Sequence, residues 1–161
     1  MKAVLASKAP AELVKNKSKQ FTTFTVDGRV YGIDVMKVQE VTKPLQVTVM
    51  RTAPGFIKGL INLRGQIATA IGLRELFNLR INDDIEKMTV VCRIDDVLVS
   101  LLVDNIGDVI EVEDSSFEST PVTIPANIRP FMDGVYKTEG TVLSILNIDS
   151  ILVELDRRCA S

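Results

Sequence analysis

Three hairpin patterns restrict the fold of this 161-residue chain more than any other part of its sequence. In the first, residues 21–26 and 29–33 are rich in β-branched and aromatic side chains and flank Asp27-Gly28. An Asp-Gly pair readily takes the positive φ angles of a type I′ turn, which joins antiparallel strands. Two further hairpins are predicted by residues 88–94 and 97–103 around Asp95-Asp96, and by residues 131–137 and 141–146 around residues 138–140.

The other segments predict more short strands and only short helices. Residues 45–50 alternate between apolar and polar side chains, as a strand with one solvated face does. Asp34 can cap a short helix that carries Val35, Val38 and Val41 at helical spacing. Residues 74–79 favour a helix of one or two turns. A final helix over residues 150–158 is expected after a cap at Asn147 or Asp149.

About nine or ten short strands of this kind are typical of all-β barrels rather than of βαβ units. The polar segment 80–87 is the best internal boundary, so we expect two small barrels, roughly residues 20–80 and 88–148, between which strands could be exchanged. Residues 1–19 contain five lysines and one glutamate and are interpreted as a flexible arm. The folded domain should then span residues 20–157, followed by a tail, residues 158–161.

Residues 54–73 combine apolar strand-like residues with glycines and two exposed polar candidates. Glycine within a strand pattern usually marks a bulge, a bend or a close backbone approach, and backbone geometry explains Gly59 and Gly65 better than contact with a partner does. A strand that only filled a core would not carry Asn62 and Arg64 beside glycines. We therefore interpret this segment as a bent corner that presents Asn62 and Arg64 to a partner.

The residue types argue against most catalytic and metal sites. The chain has no histidine, which removes the usual general base and the commonest metal ligand. Its two cysteines, Cys92 and Cys159, cannot form a zinc site, and reduced thiols fit better than a disulfide. Carboxylates cluster at Asp83-Asp84, at Asp95-Asp96 and in residues 111–114, so an enzyme that uses a carboxylate pair stays open as an alternative. A binding protein without a cofactor or metal is favoured.

Charge and hydropathy limit the possible partners. A net charge of −2 and scattered aromatic residues do not provide the basic, stacking surface that single-stranded nucleic acid requires, although a small β-barrel that binds nucleic acid or a small ligand remains the rival interpretation. No apolar run approaches the ~20 residues needed to cross a bilayer, so no direct membrane insertion is expected. The first residues have too short an apolar stretch for a secretory signal, which favours a cytoplasmic protein.

Several motifs occur in the order and spacing of one known family, across residues 21–155. They are Tyr31-Gly-Ile-Asp-Val35, Val38-Gln-Glu-Val41, Pro54-Gly-Phe-Ile-Lys-Gly-Leu-Ile-Asn-Leu-Arg-Gly65, Leu102-Val-Asp104 and Asp108-Val109. On these residues the chain resembles the CheW family of chemotaxis coupling proteins. The resemblance implies two five-stranded SH3-like or OB-like β-barrels around a shared hydrophobic core, with a few short helices and a C-terminal helix.

The resemblance also implies a non-catalytic adaptor that links the helical cytoplasmic tip of chemoreceptors to the regulatory domain of the histidine kinase CheA. Such an adaptor is cytoplasmic and is recruited to membrane receptor arrays through its partners. A divergent coupler in a pilus-based or other chemosensory pathway is the alternative. The positions that match the family's receptor-coupling residues, together with Asn62 from the corner, are Val38, Glu40, Asn62, Arg64, Ile106 and Val109.

Each of these residues also has a structural interpretation. The three apolar residues Val38, Ile106 and Val109 could lie in the core, or they could receive an amphipathic receptor helix. Arg64 could offer a bidentate donor to a receptor carboxylate, or it could pair internally with Glu40. The sequence leaves both alternatives open.

The chain departs from the family pattern just after the arginine motif. The family typically reads Val-Pro-Val-Ile-Asp-Leu, whereas residues 68–73 read Ala-Thr-Ala-Ile-Gly-Leu. Two smaller side chains, Ala68 and Ala70, should thin the local packing unless a neighbour fills the space. Gly72 removes the side chain that would cap the next helix, and Ser100 stands where glycine is common.

Overall fold

The structure, a computed structural model, describes residues 18–159, with side chains for residues 18–158. It contains eleven strands and two α-helices in this region. The strands are β1 (Ser18–Val26), β2 (Arg29–Asp34), β3 (Val38–Thr42), β4 (Ile57–Leu63), β5 (Gln66–Gly72), β6 (Met88–Ile94), β7 (Val97–Val103), β8 (Asn105–Glu113), β9 (Phe117–Glu118), β10 (Met132–Thr138) and β11 (Thr141–Leu146). The helices are α1 (Leu73–Leu76) and α2 (Ile148–Cys159).

The strands form two sheets, which confirms the predicted all-β class. The first sheet has the order β8-β1-β2-β11-β10-β9, and the second has the order β3-β6-β7-β5-β4. The second sheet has the expected five strands, while the first has a sixth, the two-residue β9. The predicted arm lies outside the described residues except for Ser18 and Lys19, which already belong to β1.

The strands of the second sheet come from one continuous stretch of the chain, β3 to β7, which is inserted between the two stretches that form the first sheet. The first sheet takes β1 and β2 from the beginning of the described region and β8 to β11 from its end. The parallel pairing of β2 with β11 and the antiparallel pairing of β1 with β8 join the early and late strands of the first sheet, and β5 pairs in parallel with β7 inside the second. The polar segment 80–87 therefore connects α1 to β6 within the part of the chain that supplies the second sheet, and does not separate the sheets.

One large core joins the two sheets, and each sheet also has a smaller cluster. Tyr31 of the first sheet stacks on Phe24 at 5.9 Å between ring centres and contacts Phe77, which follows α1, at 5.6 Å. Ile71 and Leu101 of the second sheet are fully buried in the same cluster. Because each large side chain contributes roughly 1.5–3 kcal/mol on burial, this shared core explains why the two sheets form one unit.

All three predicted hairpins are present with two-residue turns. Strands β1 and β2 pair around Asp27 and Gly28, whose φ angles of 51° and 80° are those of a type I′ turn. The β6–β7 and β10–β11 pairs are also joined by two residues, Asp95-Asp96 and Glu139-Gly140, but only Asp95 and Gly140 have positive φ angles there, 54° and 71°. The cap of α2 is Asn147, whose Oδ1 accepts a hydrogen bond from the backbone N–H of Ser150 at 2.9 Å.

Two sequence predictions were wrong. Asp34 does cap a turn, by accepting a hydrogen bond from the Met36 N–H at 2.9 Å, but only Val35–Lys37 is helical, as a 3₁₀ turn. Val38–Thr42 is strand β3, because β-branched valines favour a strand wherever they stand and β6 offers an edge to pair with. In residues 45–50 only Thr48 pairs, through an isolated bridge to Leu60, so no strand forms there.

Candidate functional site

Residues 54–73 form a tight hairpin, and Arg64 lies at its turn. Strands β4 and β5 are joined by Arg64 and Gly65, with φ angles of 52° and 90°. The Oδ1 atom of Asn62 accepts a hydrogen bond from the Gly65 N–H at 2.9 Å. The predicted corner is therefore a type I′ turn, in which Asn62 supports the backbone and Arg64 projects into solvent with 70% of its side chain exposed.

Arg64 makes an ion pair with Glu40 of β3. Its Nη2 donates to Glu40 Oε2, while the Glu40 side chain is only 23% exposed. This hydrogen bond and the guanidinium charge lower the pKa of Glu40, so the carboxylate stays ionised. The internal pair that the sequence left open is thus formed in the isolated chain. The larger part of the guanidinium side chain still faces solvent, where a second carboxylate could approach it.

Sequence reasoning missed a second arginine beside this pair. Arg93 of β6 donates from Nε to Gln39 Oε1 at 2.8 Å and from Nη2 to Gln66 Oε1 at 3.0 Å. Gln39 precedes Glu40, and Gln66 follows the Arg64–Gly65 turn, so the two arginines link the same strands. We call this group the polar row, and its members are Gln39, Glu40, Arg64, Gln66 and Arg93.

The predicted apolar residues of β8 are placed by a bulge. Thr22 pairs with Val109 and Phe24 pairs with Ile106, so Thr23 faces two residues of β8. The Thr23 hydroxyl donates to the Asp108 carbonyl at 2.6 Å. A Cβ on Gly107 would lie 2.4 Å from that hydroxyl oxygen, which explains the glycine there.

The bulge gives the two apolar side chains different surroundings. Ile106 is half-buried and packs against the large core, whereas Val109 is 57% exposed on an edge strand of the first sheet. Val38, at the start of β3, is also half-buried against the large core. The structure thus brings Glu40 and Arg64 into contact, places Val38 and Ile106 at the border of one core, and leaves Val109 open to solvent.

The departures at residues 68–73 have local structural explanations. A Cβ on Gly72 would lie 2.2 Å from Oε1 of Glu75, so the Glu75 carboxylate occupies the space that a side chain at position 72 would need. That carboxylate also pairs with Lys58 at 2.8 Å. Ala70 is fully buried and pairs with Ser100 across strands β5 and β7. Position 70 thus carries a smaller side chain than the family's valine, and its neighbour at position 100 carries a larger one than the common glycine.

The titrating groups do not favour acid–base catalysis. Burial raises the pKa of Asp104, but hydrogen bonds from Arg74 and from the Asp27 N–H outweigh it and lower that pKa. The hydrogen bond from Arg157 brings the pKa of Glu154 to about 2. These carboxylates, like Glu40, are held ionised, which does not suit a general acid. Among the described residues, no group of three or more cysteine, aspartate or glutamate side chains could hold a metal ion.

The helices of the described region are short. The longest, α2, has 12 residues. No helix within residues 18–159 is both long and apolar enough to cross a membrane.

Comparison with protein families gives a match over nearly the whole described region. The CheW-like domain family matches residues 20–156. That span contains every residue of the polar row as well as Val38, Asn62, Ile106 and Val109.

Individual relatives agree with this match. The chain is 29% identical to "Chemotaxis protein CheW" of Treponema pallidum over 143 residues, which cover 86% of this chain and 84% of the relative. It is 30% identical to the protein of the same name from Bacillus subtilis, with 83% and 86% covered. Among solved structures, the scaffolding protein TtCheW from Thermoanaerobacter tengcongensis superposes with a TM-score of 0.73 at 30% identity, covering 80% of this chain and 88% of that one.

Proposed function

The chain belongs to the CheW-like domain family, and on that premise we propose that it is a non-catalytic adaptor that couples chemoreceptors to the histidine kinase CheA in bacterial chemotaxis. The observation that carries this proposal is the family match over residues 20–156. Relatives named CheW support it, because the similarity covers most of their length. The two-sheet fold and the similarity to a solved scaffolding protein agree with it.

The receptor surface in this proposal combines the polar row with the exposed face of β8. Arg64 is mostly exposed and offers a planar pair of donors, which suits a carboxylate on a receptor helix. Val109 is exposed and can receive an aliphatic side chain of such a helix. Val38 and Ile106 act mainly as the packed support of this surface, since both rest against the core.

The proposal names two protein partners and no cofactor. One partner is the helical cytoplasmic tip of a chemoreceptor, and the other is the regulatory domain of CheA. The adaptor works in the cytoplasm and reaches the membrane only through the receptor arrays that it joins. Neither nucleic acid nor direct insertion into the bilayer is part of this function.

The test is binding of the full chain to each partner separately. A receptor cytoplasmic fragment and a CheA regulatory domain are immobilised in turn, and binding is measured by surface plasmon resonance. Saturable binding to both is expected. Binding to neither would overturn the proposal.

A matched pair of valine variants then maps the receptor surface. Val109→Asp places a charge on the exposed face of β8 and should reduce receptor affinity at least about tenfold, because a carboxylate must be desolvated against the receptor helix. Val153→Asp makes the same change at a valine that is 65% exposed on α2 and should leave receptor binding intact. Equal losses in the two variants would place the receptor elsewhere.

A further inference from the structure

Arg74 and Asp104 form a deeply buried ion pair away from the polar row. Their side chains are only 8% and 7% exposed. Arg74 Nε lies 3.1 Å from Asp104 Oδ1, and Nη2 lies 2.6 Å from Oδ2, so the carboxylate accepts two nearly parallel hydrogen bonds. Such a bidentate pair constrains the direction as well as the distance between its partners.

The pair stands where the chain passes from one sheet to the other. Asp104 is the single residue between β7 of the second sheet and β8 of the first, and Arg74 lies in α1 directly after β5. The Asp104 Oδ2 also accepts a hydrogen bond from the Asp27 N–H at 2.8 Å, in the β1–β2 turn. The Asp104 N–H donates to the Thr25 carbonyl at 3.0 Å. Asp104 therefore bonds to the β1–β2 hairpin of the first sheet and to Arg74 of α1, the helix that follows β5 of the second sheet.

The segment 80–87 is tied to the same pair. Arg74 Nη1 donates to the Arg80 carbonyl at 2.6 Å. Lys87 Nζ lies 3.4 Å from Asp104 Oδ1 and donates to the Asn82 carbonyl at 3.0 Å. The donors of Arg74 and the carboxylate of Asp104 therefore have hydrogen-bond partners, as buried charged groups require.

Burial of this pair is not explained by stability alone. Replacing a buried ion pair by apolar residues of similar volume is often neutral or stabilising, because removing two charges from water is costly. The apolar core between the sheets, in contrast, holds them together without specifying a direction. A directional contact is what the core lacks.

We propose that the Arg74–Asp104 pair positions the two sheets relative to each other and thereby sets the spacing between the polar row on the second sheet and Val109 on β8. Both residues are positioning residues. The orientation of the sheets is a property of the chain itself, whereas the effect on receptor binding rests on the proposed function.

The test is the double variant Arg74→Met/Asp104→Leu in the full chain, which removes both charges and keeps an apolar filling. Backbone N–H residual dipolar couplings report the orientation of each sheet. We expect the couplings of each sheet to fit its own structure, while no single alignment tensor fits both sheets at once. Affinity for the receptor fragment should fall about tenfold, without a matching loss of melting temperature.

Two further variants make the outcome decisive. Arg74→Lys keeps the charge but loses the two parallel donors of the guanidinium. It should change the relative orientation of the two sheets in the same direction, by a smaller amount. Arg157→Met/Glu154→Leu removes an ion pair on α2 whose arginine is 67% exposed and whose glutamate also pairs with Arg158, and it should leave a single tensor adequate for both sheets.

A single tensor that fits both sheets in the double variant would overturn the proposal. If the double variant does not fold, wild-type alignment in Arg74→Lys would overturn it equally. If the wild-type chain fails to bind the receptor fragment, the proposed function is wrong, but the couplings still decide the orientation of the sheets.

Discussion

Two arginine–carboxylate pairs of this protein have the same chemistry in opposite surroundings. Arg64 and Glu40 meet at the surface with the guanidinium side chain 70% exposed, whereas Arg74 and Asp104 are both less than 10% exposed. Exposed pairs contribute little to stability because water and salt screen them. A buried pair cannot lose one member without leaving an uncompensated charge. The surroundings, and not the residue types, decide what each pair does.

This difference separates recognition from architecture. Arg64 can exchange Glu40 for a carboxylate of a partner, since its side chain already reaches into solvent. Arg74 cannot do so, because the Arg80 carbonyl and Asp104 occupy its donors inside the protein. We therefore expect variants of the surface pair to change binding and variants of the buried pair to change folding or geometry.

The largest effect is expected for Asp104→Ala. It leaves the Arg74 guanidinium buried with the Arg80 carbonyl and, as its remaining carboxylate, the half-exposed Asp27 at 3.6 Å, which should lower the free energy of unfolding by about 3–5 kcal/mol. Urea denaturation followed by circular dichroism measures it. Asp149→Ala, which removes the exposed partner of Lys37, is the matched control and should change stability little. Equal losses of stability in the two variants would contradict the distinction between buried and exposed ion pairs.

Gly59→Ala should have the next largest effect, on the hairpin that carries Arg64. A Cβ there would lie 2.0 Å from the Thr48 carbonyl oxygen, at a φ of 147° that favours glycine. We expect a loss of about 1–3 kcal/mol, measured by thermal unfolding. Gly55→Ala, where a Cβ would meet nothing within 4 Å, serves as control. A tolerated Gly59→Ala would show that the bridge between Thr48 and Leu60 does not constrain the hairpin.

The fold was predictable where its signals are local. Turn residues such as Asp27 and Gly28 determine hairpins within a few positions, and all three hairpins were found. Exchange of strands between the two barrels was left open by the sequence, but which strands pair was not predictable, because the parallel β2–β11 pairing joins distant segments without a local pattern. Residues 35–41 were misassigned because valines at helical spacing suggested a helix, whereas pairing with the distant β6 makes residues 38–42 a strand.

The site was predictable to the same extent. Arg64 was identified because a glycine follows it in an apolar strand pattern, and its pair with Glu40 was one of two alternatives. Arg93 was missed because its partners Gln39 and Gln66 come from separate strands. The Arg74–Asp104 pair was missed as well, since 30 residues separate its members along the chain.

Lowering the pH should reduce the stability contributed by the two ion pairs to different extents. Both carboxylates have lowered pKa values in the folded chain, so the folded state binds fewer protons than the unfolded state. Stability is therefore fully present above the unfolded pKa of about 4 and falls as the pH drops through the folded value. The buried carboxylate should dominate this loss.

Urea unfolding between pH 2 and pH 7 checks this prediction with two variants. Asp104→Asn should flatten the acid side of the stability profile, because it removes the group whose ionisation is coupled most closely to folding. Glu40→Gln should leave the profile close to wild type, because solvent screens its pair. A flattened profile in Glu40→Gln instead would mean that the surface pair is coupled to folding.

Arg64→Ala should have the smallest effect on stability and a large effect on binding. The melting temperature should shift by no more than about 2 °C, as expected for an exposed pair in a chain of this size. Affinity for the receptor fragment should fall about tenfold, because the variant removes the exposed donors of the polar row. Arg157→Ala, which breaks another exposed arginine–glutamate pair, should change neither quantity. If Arg64→Ala instead lowered the melting temperature strongly and left receptor affinity unchanged, the surface pair would be a structural clamp like the buried one.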